Sequence, residues 1–362
     1  MKKFLLILLI SGIPFIAFSQ EFVWKAGINS FFDNAEFANS NVQIPQTMAG
    51  TRLTSEAGIS WLEKHRIFAG IDMLREFGSD KIVDFIDPIA YYNFDGEYFR
   101  FYMGTFPRKM VLEKYPRMFF QDSIANYRSI LNGLFWEYHK KNDYINVWLD
   151  WTSRQTEERR ETFFMGWSGR YNLNVFYAQH FGYMFHFAKR KHAIVLDNLH
   201  DNGLILTSLG IDFSTKTNFE KLEANIGWAA SLERNRGGNN EWQTPQGILS
   251  EIKVEYKGLG LFNTLYRGGK QQIFYEEHGN ALYWGDRFYR AKAYNRADFY
   301  INFFKTDVVN LKLTFSLHWA EQAVYNQQSL YASFNLDNLK KRKQAKKYEY
   351  IWDSWFKKQT KT

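Results

Sequence analysis

Between Phe22 and Leu336 apolar and polar residues alternate with period two, in segments of about ten residues. From Asn310 to Trp319, Leu311, Leu313, Phe315, Leu317 and Trp319 fall on one face, and Asn310, Lys312, Thr314, Ser316 and His318 on the other. Phe22, Trp24, Ala26 and Ile28 likewise oppose Lys25, Gly27 and Asn29, while Leu222, Ala224, Ile226 and Trp228 oppose Lys221, Glu223 and Asn225. Bulky apolar groups on one side and charge on the other suit lipid outside and water inside, and about ten residues is the length a tilted strand needs to cross a bilayer. Beyond the N-terminus no stretch approaches the roughly 18 apolar residues of a spanning helix. A spanning chain of this pattern must therefore close on itself, because an open edge would leave peptide groups unpaired in hydrocarbon.

The pattern predicts an all-β fold, a transmembrane antiparallel β-barrel of about sixteen strands, with fourteen and eighteen the neighbouring even counts. The strands start near residues 22, 50, 66, 87, 97, 128, 143, 160, 171, 203, 218, 246, 258, 294, 308 and 327. Connections alternate between short links, such as Asp95-Gly96 and Lys257-Gly258, and long ones, roughly 32 to 49, 77 to 86, 107 to 127, 182 to 202, 233 to 245 and 268 to 293. Two links on the long side, 153 to 159 and 321 to 326, are shorter. Short links read as periplasmic turns and long ones as surface loops.

Composition sharpens this reading. Aromatic residues reach 19% while mean hydropathy is -0.44, which suits rings at a membrane boundary better than an aliphatic soluble core. The absence of Cys excludes a disulfide framework, thiolate metal sites and a lipidated N-terminal Cys. Lys2 and Lys3, the run from Phe4 to Ile10, and Ala17-Phe18-Ser19 before Gln20 form a secretory signal, residues 1–19, cleaved after Ser19. The barrel then occupies residues 20–338 and a basic aromatic tail residues 339–362. Of the net charge of +8, the signal's two lysines account for +2, and the tail, with nine basic residues and two acids, for +7. The barrel is thus near neutral, and no nucleic-acid partner is expected. In the tail Tyr348, Ile351, Trp352, Trp355 and Phe356 recur at helical spacing beside lysines, predicting a short periplasmic helix lying in an interface, binding an envelope partner, or plugging the pore.

Inward positions carry seven cations, Lys25, Arg52, Arg100, Lys221, Lys253, Arg296 and Lys312, against eight anions, Glu56, Asp72, Asp150, Asp212, Glu223, Glu251, Glu255 and Asp298. Such a balanced wall reads as pore-lining with weak ion selectivity, or as interior salt bridges. The loop from Pro107 to Tyr127, with Arg108, Lys109, Glu113, Lys114, Arg117 and Asp122, is either a constriction or a cap over the rim. Alternation places no Ser, His and carboxylate at one height, so no enzymatic role, cofactor or metal is expected. His186 with His192, Asp197 with His200 and Asp201, and Glu276 with Glu277 and His278 fall in surface loops where they could touch a divalent metal, but without diagnostic ligand spacing they read as solvated loop residues. The cluster from Tyr283 to Arg290 could stack on sugar rings, but reads first as part of an upper aromatic girdle.

The signal ending in Ser19-Gln20, the lack of Cys, the aromatic strands, and Gln328 to Leu336 with Phe334 and Leu336 alternating resemble outer-membrane barrels of Bacteroidota. The resemblance implies a Gram-negative outer membrane, the lipid bilayer and lipopolysaccharide as surroundings, and the barrel assembly machinery as a partner in biogenesis. The loop after the fifth strand resembles in position the loop that narrows many general porins. The leading functional expectation is a porin-like channel for passive diffusion of small hydrophilic solutes; the second is a non-conducting barrel serving as anchor or subunit of an envelope complex, and the third, ranked last, a barrel enzyme acting on lipid or surface glycan.

Overall fold

The structure, a computed structural model, describes residues 20–192, 198–339 and 348–353. Sixteen antiparallel strands, each bonded to its sequence neighbours, form a closed barrel. They are β1 (Glu21–Glu36), β2 (Gln46–Trp61), β3 (His65–Glu76), β4 (Phe85–Asp95), β5 (Phe99–Pro107), β6 (Ile130–Lys140), β7 (Asp143–Ser153) and β8 (Thr162–Leu173). The second half is β9 (Phe176–Phe187), β10 (His200–Asp212), β11 (Lys221–Asn235), β12 (Gln246–Tyr256), β13 (Leu259–Gly268), β14 (Ala293–Lys305), β15 (Val309–Ala320) and β16 (Ala323–Asp337). Pairing of β1 with β16, from Lys25 opposite Asp337 to Glu36 opposite Asn326, leaves no free edge.

Burial is inverted relative to a soluble protein. On β15, Ser316 and His318 are 1% exposed while Leu313 and Phe315 are 41% and 43% exposed. The same inversion recurs around the wall, where Ile67, Met103, Ile145, Met165, Ile226, Ile252 and Phe299 all point outward. An apolar belt of that extent has hydrocarbon as its natural solvent.

The strand starts predicted from alternation are closely matched, the largest displacement being at β9, expected near 171 and found at Phe176. Differences concentrate at the long-loop end. There β1 continues to Glu36, β9 to Phe187, and β10 begins at His200, all within stretches expected to be loops. These extensions carry polar groups on their outer face as well, among them Asn34, Glu36, Asp201 and Arg234, so alternation fades where the wall leaves the apolar belt. The link between β15 and β16 is two residues, Glu321 and Gln322, with φ of 54° and 64°, the left-handed pair of a type I′ hairpin. Neither is a customary residue for that turn, which is why a longer link was expected.

Of the tail, residues 348–353 are described. Tyr348 to Tyr350 carries no regular structure, Ile351-Trp352 turns, and Asp353 is helical at the edge of the described residues. Tyr350 stacks on Trp352 at 5.0 Å, its hydroxyl accepts from Lys305 N at 2.6 Å, and Ile351 N donates to Lys257 O at 2.9 Å. The tail is held against the short-turn end by backbone pairing and alternate stacked rings. The signal, residues 1–19, and tail residues 340–347 and 354–362, with the rest of the expected helix, lie outside the described residues.

Inside the wall, Trp148 of β7 lies flat over Gly166 of β8, directly opposite it in register. A Cβ at position 166 would stand 2.1 Å from the indole ring. Gly166→Ala is expected to displace Trp148 and destabilise the barrel by roughly 1–3 kcal/mol, read as a lower urea midpoint of the protein refolded in detergent. An unchanged midpoint would contradict this packing.

Candidate functional site at the long-loop end

The segment between β5 and β6 folds into the barrel, and its feet are pinned first. Arg108, directly after Pro107, is buried; its guanidinium pairs with Asp150, which is fully buried on β7, and donates to the carbonyls of Arg128, at 2.7 Å, and Ile130. Arg108 N donates to Ser129 O at 2.6 Å, closing the loop at its neck. A helical turn, Lys109–Leu112, then directs Tyr115 across to the wall. The Tyr115 hydroxyl donates to Trp167 O at 2.7 Å and accepts from Trp148 Nε1 at 3.0 Å. Phe119 and Phe120 enter a nest of inward aromatics, Phe164, Phe181 and Tyr183, joined by Trp284.

The loop then crosses the lumen. β14 stands eight strands from β6 in either direction round the ring, and the far end of the loop binds it. Arg117 pairs with Asp298 at 2.8 Å, and Asp122 with Arg296 at 3.0 Å. Arg296 also donates from Nε to Asp298 at 2.6 Å. A second segment, between β13 and β14, meets the first as an improvised ladder: Gln121 N donates to Trp284 O at 2.8 Å and Asp286 N to Arg117 O at 2.9 Å. Gly285 lies between these bonds because a Cβ there would stand 2.1 Å from Met118 O. The cluster expected in an outer girdle is therefore inside: Tyr283, Trp284, Phe288 and Tyr289 are each at most 2% exposed. Its rings fill the lumen and do not face lipid.

Where the two segments meet β1, β14, β15 and β16, a cavity of about 90 Å³ is lined by Asp33, Asp122, Ser123, Asp286, Arg296, His318 and Gln327, with Gln43 and Ile44 of the β1–β2 loop at its mouth. Gln327 Nε2 donates to Asp33 Oδ1 at 2.6 Å, so its Oε1 accepts from His318 Nε2 at 3.1 Å. That fixes the proton of His318 on Nε2 and leaves Nδ1 to accept from the Tyr294 hydroxyl at 2.9 Å. Gln43 donates to Asp286 at 3.3 Å. Burial pushes the Asp286 carboxyl above its ordinary range, against the pull of the Arg296 charge. The crevice thus combines a buried carboxyl, an imidazole in a hydrogen-bonded chain, and a guanidinium held by carboxylates, groups of the kind that polar bond hydrolysis uses.

The inward residues singled out in the sequence stand on interior strand positions, where many pair with one another. Lys25 meets Glu56 at 3.1 Å, Arg52 is held by Asp72 and reaches Asp87 at 3.3 Å, Arg100 approaches Glu137 at 3.5 Å, and Lys253 approaches Glu251 at 3.7 Å. Near the short-turn end Glu255 accepts from Lys305 at 2.5 Å, Arg170 reaches both Asp212 and Glu223, and Lys312 lies over the Tyr300 ring at 4.1 Å. Lys221 sits opposite Glu255 in register. Of the loop residues, Arg108, Arg117 and Asp122 join the interior lattice and Lys114 pairs with Glu137. Burial, helped by the Arg100 charge, pulls the Lys114 ammonium down to about 8. Lys109 and Glu113 pair at 3.5 Å on an exposed side of the loop. Asp33, Asp286, His318 and Gln327 were not singled out. His186 faces outward, stacked on Phe163 at 4.7 Å, and Asp201 binds Arg234 and Arg236, while His200 meets His278; Asp197 lies outside the described residues.

Comparison with known proteins adds two findings. Residues 19–343 match the sequence profile of a family described as Lipid A 3'-O-deacylase-type. The fold is similar to that of an anion-selective porin from Comamonas acidovorans, with a TM-score of 0.53 and 10% identity over 88% of this chain and 99% of that one. It is also similar to a loop-deletion mutant of OmpT from Vibrio cholerae, with a TM-score of 0.52 and 8% identity over 88% of this chain and 100% of that one. At such identities the likeness shows the barrel fold alone. No curated protein matches the sequence. The family match corrects the expectation that the chain has no enzymatic role, since the family is of an enzyme type. That expectation rested on alternation placing no Ser, His and carboxylate at one height of the wall, a pattern that does not register groups carried in by inserted segments.

Asp298 is 2% exposed between two guanidiniums. Asp298→Ala would leave Arg117 and Arg296 facing each other without their shared carboxylate, and is expected to cost roughly 3–5 kcal/mol. The inserted loop should then become cleavable by trypsin after Arg117 in the refolded protein, whereas the unaltered protein resists; equal resistance would contradict the lattice.

Proposed function

The chain belongs to the Lipid A 3'-O-deacylase-type family, and from that premise we propose that it is an outer-membrane hydrolase that removes an ester-linked acyl chain from a lipid A-type glycolipid. In this reading the apolar belt lies in the outer membrane of a Gram-negative bacterium, the short turns, the start of β1 and the end of β16 face the periplasm, and the long loops face outward. The crevice then lies towards the level of the outer-leaflet headgroups, where an acyl ester joins sugar to hydrocarbon.

The observation that carries the proposal is the crevice itself: a buried carboxyl, Asp286, beside Arg296 and the Asp33–Gln327–His318 chain, at the end of the barrel nearest those esters. Asp286 takes a proton from water as the water oxygen attacks the ester carbonyl carbon. Arg296 offsets the negative charge that develops on the carbonyl oxygen. Collapse breaks the bond from the carbonyl carbon to the sugar oxygen, which takes up the proton, releasing a fatty acid and a sugar hydroxyl. The two inserted segments, which meet across the lumen, favour this reading over passive diffusion of solutes.

The test is mass spectrometry of lipid A from cells whose outer membrane carries the protein. The expected result is a species lighter by one acyl chain, reduced at least about 100-fold by Asp286→Asn in a barrel that still folds. Unaltered lipid A beside abundant folded protein would overturn the proposal.

A further inference from the structure

At the rim, on the side of the barrel formed by β9 and β10, a separate group of side chains converges. β10 begins at His200, whose ring turns into the lumen and is 1% exposed. The second inserted segment places a helical turn, Tyr275–His278, over it, so that the Nε2 atoms of His200 and His278 stand 2.8 Å apart with their rings at 79°. Glu277, the neighbour of His278, brings a carboxylate oxygen to 3.7 Å from His278 Nε2. One ligand atom from each of the three residues lies within 4.8 Å of the others. Phe187 and Phe274 wall the pair, with Phe187 at 5.1 Å from the His278 ring and Phe274 at 5.0 Å from the His200 ring.

We propose that His200, His278 and Glu277 bind a divalent transition-metal ion of the Zn²⁺ class, which clips the second inserted segment to the barrel wall. Two imidazole nitrogens aimed at one point need a shared proton or a cation between them. Zinc–nitrogen bonds of about 2.0–2.1 Å at a tetrahedral angle place the nitrogens about 3.3 Å apart. An outward shift of His278 by about 0.5 Å therefore admits the ion, and His278 rides on a single helical turn between wall strands. Glu277 is 54% exposed, so its carboxylate is able to rotate into the third position, with water in the fourth. Two imidazoles and one carboxylate suit Zn²⁺ and its late first-row neighbours; Ca²⁺ and Mg²⁺ require more oxygen ligands. The ligands come from a wall strand and from a segment 78 residues away in sequence. That same segment carries Asp286 to the crevice, so the ion would steady one wall of the proposed site from a distance.

The experiment titrates Zn²⁺ into the full-length protein, refolded in detergent and stripped with EDTA, by isothermal calorimetry, with Co²⁺ absorption as a second probe of the ligand set. One ion per chain is expected. His200→Ala and His278→Ala should each weaken binding at least about 100-fold and Glu277→Gln about 10-fold, while His186→Ala and His192→Ala, at histidines outside the cluster, should leave it unchanged. Absence of saturable binding, or binding that survives His200→Ala and His278→Ala, would overturn the proposal. If His200→Ala fails to fold, as judged by loss of its heat-modifiable gel band, His278→Gln and Glu277→Gln decide, since both lie on the rim turn. Metal binding is read without reference to hydrolysis, so either proposal is able to fail alone.

Discussion

The interior depends on a small lattice of charge built around the buried pair Arg296 and Asp298. Arg117, carried in from the neck at β5 and β6, and Arg296 of β14 share Asp298, and Arg296 also holds Asp122 of the inserted loop. Isolated charges are costly away from water, so each guanidinium is stable inside only while its carboxylates are in place. Because the partners sit on opposite sides of the ring, satisfying them draws a loop across the lumen. The second segment is then held by backbone bonds to the first, and the crevice exists because both are there.

The wall imposes a complementary constraint. Its outside is predominantly apolar within the belt, so most polar side chains there turn inward and find partners inside. The aromatic side chains on inward positions divide the interior into two parts. Beside β7, β8 and β9, Trp148, Phe164, Phe181, Tyr183 and Phe185 form a dry nest that receives Phe119 and Phe120. Beside β14, β15 and β16, Tyr294, His318 and Tyr325 pack around Phe288 while the polar crevice opens next to them. One part anchors the inserted loop by packing and the other presents titratable groups.

Much of the fold was legible because its signal is local. Leu311 to Trp319 alternates with Lys312 to His318 within one strand, and the bilayer enforces that pattern strand by strand. The crevice was not legible, because its members read singly as ordinary wall polarity. Asp33 and Gln327 touch across 294 residues, and Asp286 belongs to a segment that sequence alone placed in the girdle. A usable signal was nevertheless present. Trp148 stands on the same face of β7 as Asn146 and Asp150, and Phe181, Tyr183 and Phe185 occupy the inward face of β9. Large rings on the face that should meet water announce something to pack against, and the loop after β5, with Tyr115, Phe119 and Phe120, supplies it.

From the lattice at Arg117, Arg296 and Asp298 we infer that the inserted segments close the lumen to solutes. Single-channel conductance of the refolded protein in a planar bilayer addresses it most directly. A silent barrel is expected, opening steadily once the lattice is broken by replacing both Arg117 and Asp122 with alanine. Steady porin-like openings in the unaltered protein would contradict it.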